Sequence, residues 1–222
     1  MIDTILFDLD GTLLNTLCDL QASVNYALSC CGLPERSKEE VRAFVGNGAA
    51  TLMLRAAPCG CDEEVSKKLL RLFEEHYKVH SLDRTAPYDG ILPLLDELER
   101  EGFQMAVVSN KPFFATEDLV RRFFGKNVSV AIGQRPSLPK KPAPDMIFEA
   151  MRLLNKSPEQ CLYVGDSEVD VECAKNAGLP LLAVNWGFRS SDQLQKAGAQ
   201  TILSTPQSLF HQLLQLRSER TS

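Results

Sequence analysis

Apolar and polar positions alternate along this chain in three different rhythms. The first is a short apolar run, Thr4 to Phe7, that stops in Asp8-Leu9-Asp10-Gly11-Thr12. Its length predicts one buried strand. The second rhythm, from about Asn15 to Asp83, has a helical period throughout. Leu17, Leu20, Val24 and Leu28 share one face, as do Val41, Phe44 and Val45, and then Val65, Leu69, Leu72 and Phe73. Pro34 and the stretch from Pro58 to Asp62 punctuate these helices. The third rhythm alternates. Strand-like FQMAVVSN, VSVAIG, CLYVGD, PLLAVN and TILS are interleaved with helix-like FATEDLVRRFF, PDMIFEAMRLL, EVDVECAKNAG, DQLQKAG and PQSLFHQLLQL. Gly102, Gly178 and Gly198 stand where helices should end. Strands that alternate with helices predict an α/β fold, a parallel sheet covered on both faces. The helical block lies between the first strand and the rest, so it is expected as an insertion: a core of residues 1–14 and 84–222, and an all-helical cap of residues 15–83.

Composition narrows the function classes. The chain has 222 residues, 44% of them hydrophobic and 24% charged, with a formal charge of -5. That balance argues against nucleic acid or an anionic membrane as partner, while leaving an anionic small molecule open. No apolar stretch reaches the length of a membrane span. Asp3 precedes the first apolar run where a leader would carry basic residues, so a cytoplasmic protein is expected. An odd count of seven cysteines then reads as reduced thiols, and Cys59-Gly60-Cys61 lacks the further ligands that zinc would need. The sequence leaves monomer and homodimer open.

The chemistry is concentrated at strand ends, where ligands bind in an open parallel sheet. The first strand ends in Asp8 and Asp10, and the next in Ser109-Asn110-Lys111. Lys140-Lys141-Pro142 follows the third, and Gly165-Asp166-Ser167 the fourth, with Asp170 close behind. Each alone reads as a helix cap, a turn or a solvated loop. Together, in order, they point to one site. Asp8, Asp10, Asp166 and Asp170 cannot crowd together without a cation, and hard oxygen ligands in that number suit Mg2+. Lys141 would add positive charge opposite the metal, and Ser109 and Asn110 would donate to phosphoryl oxygens. No Gly-rich Lys-Ser/Thr phosphate loop is present. A carboxylate can attack phosphorus directly. Asp8 would be that nucleophile, and Asp10 the acid that protonates the leaving alcohol and then deprotonates water.

DLDGT, SN, KP and GDSEVD resemble, in order, the four motifs of the haloacid dehalogenase superfamily, and the helical insert resembles that family's C1-type cap. The resemblance covers nearly the whole chain. It implies a Rossmann-like α/β core with an inserted all-helical cap. It also implies the nucleophile and metal-ligand role for Asp8, the acid/base role for Asp10 with its backbone carbonyl on Mg2+, and a structural hydroxyl for Thr12. Ser109, Asn110 and Lys141 match the phosphate-binding turn and the charge-stabilising lysine, Asp166 a metal ligand and Asp170 a supporting acid. A true dehalogenase needs no Mg2+ and no such acid cluster, so a phosphatase is the expected branch. RAFVGNG, YDGILPLLDEL, SNK and VNWGFR are similar to bacterial phosphoglycolate phosphatase-like enzymes, although Asn15 stands where many relatives carry Asp.

In the cap, Gly46-Asn47-Gly48 is expected to approach the substrate, because glycine lets backbone come near a ligand. Arg55 would reach a second carboxylate, such as that of a glycolate moiety. The expected partner is a small phosphorylated metabolite such as 2-phosphoglycolate. A phosphosugar mutase of the beta-phosphoglucomutase type uses the same chemistry with another acceptor, and a non-catalytic phospho-ligand binding protein would use the fold alone.

Overall fold

The computed structural model of the protein describes residues 1–219. Six parallel strands form the central sheet: β1 (Thr4–Phe7), β4 (Gln104–Pro112), β5 (Val130–Gln134), β6 (Cys161–Gly165), β7 (Leu181–Val184) and β8 (Ile202–Leu203). Their spatial order is β5-β4-β1-β6-β7-β8. β1 is central, paired from Thr4 to Phe7 with Gln104–Val107 on one side and Cys161–Val164 on the other. The chain winds outward from β1 first one way and then the other. The end of β1 is therefore the topological switch point, where a crevice opens.

Successive residues of a strand face opposite sides of the sheet, and β1 feeds both halves of the core. Ile5 and Phe7 join one apolar cluster with α5 (Ile91–Arg100), α6 (Phe113–Phe124) and α10 (Pro206–Glu219). Leu6 joins the other with α7 (Asp145–Leu154) and α8 (Glu168–Ala177). Burial on both faces explains why these strands read as continuous apolar runs. The short α9 (Ser191–Ala197) packs near β7 through Leu194.

Between β1 and β4 lie four helices, α1 (Leu17–Cys30), α2 (Lys38–Phe44), α3 (Ala49–Ala56) and α4 (Glu63–His80). They enclose their own apolar cluster, which includes Leu17, Leu20, Val24, Val41, Leu52, Leu69, Phe73 and Tyr77. Capping residues delimit them: Ser37 and Glu40 form a reciprocal capping box on α2, and Asp62 accepts from the Val65 N–H at the start of α4. One detail departs from the expected all-helical block. Leu14–Asn15 forms β2, which pairs antiparallel with β3 (Ala86–Pro87). A two-residue strand is too short to show a period, and only the meeting of two segments distant in sequence creates it. This ribbon is where the chain leaves the sheet domain and returns. Asp19 secures the return strand, accepting from the N–H groups of Arg84 and Thr85 and from the Thr85 hydroxyl. No helix is long and apolar enough to cross a membrane among the described residues. All seven cysteines are free thiols.

Candidate active site

The tight turn after β1 delivers both acids to the crevice. The Asp8 N–H donates to the Val164 carbonyl at 2.9 Å, extending the ladder one residue beyond the strand. The N–H groups of Leu13 and Leu14 then return to the Leu9 carbonyl. Gly11 makes this turn with φ +95°, and a Cβ there would strike the Asp166 carboxylate. Gly187 closes on the same group from the loop after β7, where a Cβ would overlap the Gly11 carbonyl and Asp166. Two glycines thus form a cradle that seats Asp166, buried at the end of β6. Its oxygens accept from the Thr12 hydroxyl at 3.2 Å and the Phe188 N–H at 2.6 Å.

Lys141 is the hub of the buried side. Its Nζ lies 2.6 Å from Asp8 Oδ1, 2.7 Å from Asp170 Oδ1 and 3.0 Å from the Tyr163 hydroxyl, so all three of its N–H donors are engaged. Asn110 holds the lysine's backbone from both sides. Its Oδ1 accepts from the Lys141 N–H at 2.7 Å, and its Nδ2 donates to the Lys141 carbonyl at 2.9 Å. The same Nδ2 donates to the Gly46 carbonyl at 3.0 Å, joining β4 to the helical insert. Asp170 is fixed by its other oxygen, which accepts from the Ser167 N–H and hydroxyl at the start of α8.

Asp8, Asp166 and Asp170 each offer an oxygen, and these oxygens all lie within 4.8 Å of one another. Burial, then the charges of Asp170 and Asp10, push the Asp8 carboxyl up to about 7 against the pull of Lys141. Burial also holds Asp166 well above the carboxylate range. The charges of Asp8 and Asp170 add to that, and the Phe188 N–H and Arg189 only partly offset it. Lys141 is itself raised well above its ordinary value, because the attraction of Asp170 and Asp8 outweighs its burial. One ammonium already serves Asp8 and Asp170. Asp166 has only neutral donors, so the donor set retains an uncompensated acid. Three hard carboxylates with one cation fit a divalent metal ion.

The open side of the crevice is different. Asp10 receives both oxygens' hydrogen bonds from Lys111 Nζ, at 2.9 and 2.8 Å. Lys111 in turn lies 4.8 Å from the ring centroid of Tyr77 on α4. The cavity between sheet and insert is lined by Asp8, Asp10, Ser109, Asn110, Lys111 and Lys141 below. Leu20, Val45, Ala49, Leu52 and Phe73 line it above. Phe188 crosses from the loop after β7 into the apolar cluster of the insert. Next to it, Arg189 clamps Glu168 and donates to the carbonyls of Arg42 and Val45.

The structure brings Asp8, Asp10, Ser109, Asn110, Lys141 and Asp166 to one cavity, with Thr12 and Asp170 directly behind. Asn110 was expected to donate to a phosphoryl group. Its side-chain amide is instead engaged with Lys141 and Gly46. The Ser109 hydroxyl accepts from the Lys111 N–H at 3.2 Å. In the insert, Gly46 and Gly48 line the cavity, whereas Asn47 lies outside its lining and offers its carbonyl to Lys140 Nζ at 2.8 Å. Arg55 is exposed, lies outside the cavity lining and donates to the Phe44 carbonyl at 2.9 Å, and its charge acts on Glu168 at the start of α8. Lys111, Tyr77, Tyr163, Phe188 and Arg189 were not singled out from sequence. Lys111 adjoins Asn110 and could have been weighed with it; the Tyr77 hydroxyl leaves no trace in an apolar stripe.

The haloacid dehalogenase-like hydrolase family model matches residues 5–184. Phosphoglycolate phosphatase 1 of Pseudomonas aeruginosa is 37% identical over 191 residues, 83% of this chain and 70% of that protein. A solved chain from Lactobacillus delbrueckii subsp. bulgaricus, described as a candidate phosphoglycolate phosphatase, superposes with a TM-score of 0.89 at 33% identity, covering 94% of this chain and 96% of its own. CbbY from Rhodobacter sphaeroides, solved with xylulose-1,5-bisphosphate, gives 0.71 at 26% identity, over 91% and 94%.

Proposed function

Because the chain belongs to the haloacid dehalogenase-like hydrolase family, we propose that it hydrolyses a small phosphomonoester through a covalent phosphate on Asp8. The observation that carries this reading is the buried constellation of Asp8, Asp166 and Asp170, with Lys141 bonded to Asp8 and Asp170. Asp8, Asp166, Asp170 and the Asp10 backbone carbonyl would hold Mg2+, which supplies charge neutralisation between the carboxylates and the phosphoryl oxygens.

An Asp8 carboxylate oxygen attacks phosphorus while the bond to the ester oxygen breaks. Asp10 enters this step protonated, with one of its two oxygens released from Lys111 to carry the proton, and it passes that proton to the departing alkoxide, giving the free alcohol and an acyl phosphate. Asp10, now a carboxylate, takes a proton from water. The resulting oxygen attacks phosphorus, the acyl phosphate P–O bond breaks, and inorganic phosphate leaves with Asp8 regenerated. Lys141 neutralises the charge that gathers beside Asp8 in both steps. Asn110 keeps that lysine in register, and Ser109 offers its hydroxyl proton to the phosphoryl group. Residues 15–83 act as a cap, whose apolar side keeps water other than the nucleophile from the acyl phosphate.

The names of the relatives make 2-phosphoglycolate the first substrate to test, and the sugar bisphosphate held by CbbY the second. The seven free thiols support a cytoplasmic setting. The test is phosphate release from 2-phosphoglycolate, sugar phosphates and p-nitrophenyl phosphate, with Mg2+ and with EDTA. Metal-dependent release that disappears in folded Asp8→Asn is expected. Turnover in folded Asp8→Asn at more than about one part in ten thousand of the parent rate would overturn the nucleophile assignment.

A further inference from the structure

The cavity holds one buried polar group that the reaction above leaves unused. The Tyr77 side chain is 4% exposed, and its hydroxyl makes no hydrogen bond of regular geometry, although the Lys111 ammonium acts on it from close by. A buried hydroxyl without a regular hydrogen bond is rare in a folded protein and calls for a reason. Tyr77 lines the cavity from α4, surrounded on the insert's side by Leu20, Val45, Leu52 and Phe73. The ammonium of Lys111 sits over its ring. Burial raises the Tyr77 phenol to about 12, so it stays a donor.

Lys111 differs from the other cations around the cavity. The donors of Lys141 are saturated by Asp8, Asp170 and Tyr163. Arg189 is held by Glu168 and two insert carbonyls. Lys111 gives hydrogen bonds to the two oxygens of Asp10, and an ammonium has three donors. Its third N–H is the donor left for Tyr77, whose hydroxyl it meets at less than regular hydrogen-bond geometry and can exchange for a stronger acceptor. A hydroxyl donor and an ammonium donor converge in a pocket whose roof is otherwise apolar. The acids near it are Asp10, bonded by Lys111, Asp19, whose oxygens accept from Arg84 and Thr85, and Glu74, exposed at the rim; Asp8 and Asp166 line the floor of the same cavity.

We propose that Tyr77 and Lys111 together form a specificity site that binds an anionic group, such as a carboxylate, on the leaving alcohol of the substrate. The proposal rests on the phosphomonoesterase reading and adds the residues that read the alcohol. Two donors, one charged, match an anion's lone pairs. A neutral alcohol of the same size would leave both without that stronger acceptor, which is how a hydrogen-bonding site rejects an analogue lacking the group. The site thus selects short phosphorylated hydroxy acids over neutral alkyl phosphates. Lys111 is also a positioning residue for Asp10, so its loss affects every substrate; Tyr77 bears on the acidic one.

The test compares 2-phosphoglycolate with ethyl phosphate, in Mg2+, for the parent, Tyr77→Phe and Lys111→Met. The ratio of the two kcat/KM values is expected to favour the acid by about ten- to a hundredfold in the parent. In Tyr77→Phe it should fall by about tenfold, mainly through KM, with little change in thermal stability because the hydroxyl removed made no hydrogen bond of regular geometry. In Lys111→Met the ratio should approach one. An unchanged ratio in Tyr77→Phe would overturn the proposal while leaving the hydrolase reading intact. Binding is measured separately by calorimetry in Asp8→Asn, with and without Tyr77→Phe. Weaker 2-phosphoglycolate binding in the double variant supports the site even if no ester is hydrolysed, an outcome that would overturn only the hydrolase reading. Equal binding in the two would overturn the site.

Discussion

Lys141 provides the sharpest test of how this centre is held together. Lys141 is 2% exposed, and its ammonium lies 2.6 Å from Asp8 and 2.7 Å from Asp170, themselves 6% and 1% exposed. Replacing it by methionine keeps the bulk and removes the charge. Two buried carboxylates then face each other without a cation. Removing one partner of a buried pair costs about 3–5 kcal/mol, chiefly the desolvation of what remains. For a chain of this size each kcal/mol lowers Tm by about 2–4 °C, so Lys141→Met should melt about 6–20 °C below the parent in EDTA. The deficit has a pH signature. The raised value of Lys141 means its contribution in the parent is complete at every pH below the ordinary lysine range. In the variant, Asp8, already raised by burial, also loses the pull of Lys141, so its folded value lies still further above its unfolded one. Stability is then lost as pH rises through that window, and the deficit should be smaller at about pH 5 than at about pH 8. Mg2+ should recover part of it, because a second cation can occupy the carboxylate cluster. The assay is thermal unfolding by circular dichroism at both pH values, with EDTA and with Mg2+. A melting point within about 2 °C of the parent at about pH 8 in EDTA would show that the carboxylates do not depend on this lysine.

Two further outcomes follow from the same geometry. Gly187→Ala places a methyl group against the Gly11 carbonyl and the Asp166 carboxylate; calorimetry should show divalent-cation affinity reduced by about tenfold or more, and unchanged affinity would mean that the cradle does not position Asp166. Metal binding should release protons near neutral pH, because burial pushes the metal-free Asp8 carboxyl up to about 7. Mg2+ affinity should weaken as pH falls through that value, by as much as about tenfold per pH unit; affinity flat from about pH 5 to about pH 8 would contradict the assignment of Asp8 as a ligand.

The alternation of apolar runs and helical periods was enough to read a parallel α/β sheet with a helical block placed after its first strand, because those periods are local consequences of burying a strand on both faces or a helix on one. Polar residues placed just past strand ends were equally legible. A parallel sheet carries every such end to one edge, and Asp8, Ser109, Asn110, Lys141 and Asp166 share a cavity for that reason. What each side chain does there was decided by tertiary contacts. Asn110 reads as a phosphate donor in a motif, yet its amide is committed to Lys141 and Gly46. Arg55 reads as a substrate contact on its helix, and the structure places it outside the cavity lining, bonded to the Phe44 carbonyl. The β2–β3 ribbon and the meeting of Lys111 with Tyr77 join residues far apart along the chain. Local pattern specifies which face of an element is buried; which polar groups meet across the crevice depends on the packing of the insert against the sheet, a sum of long-range contacts that no single segment encodes.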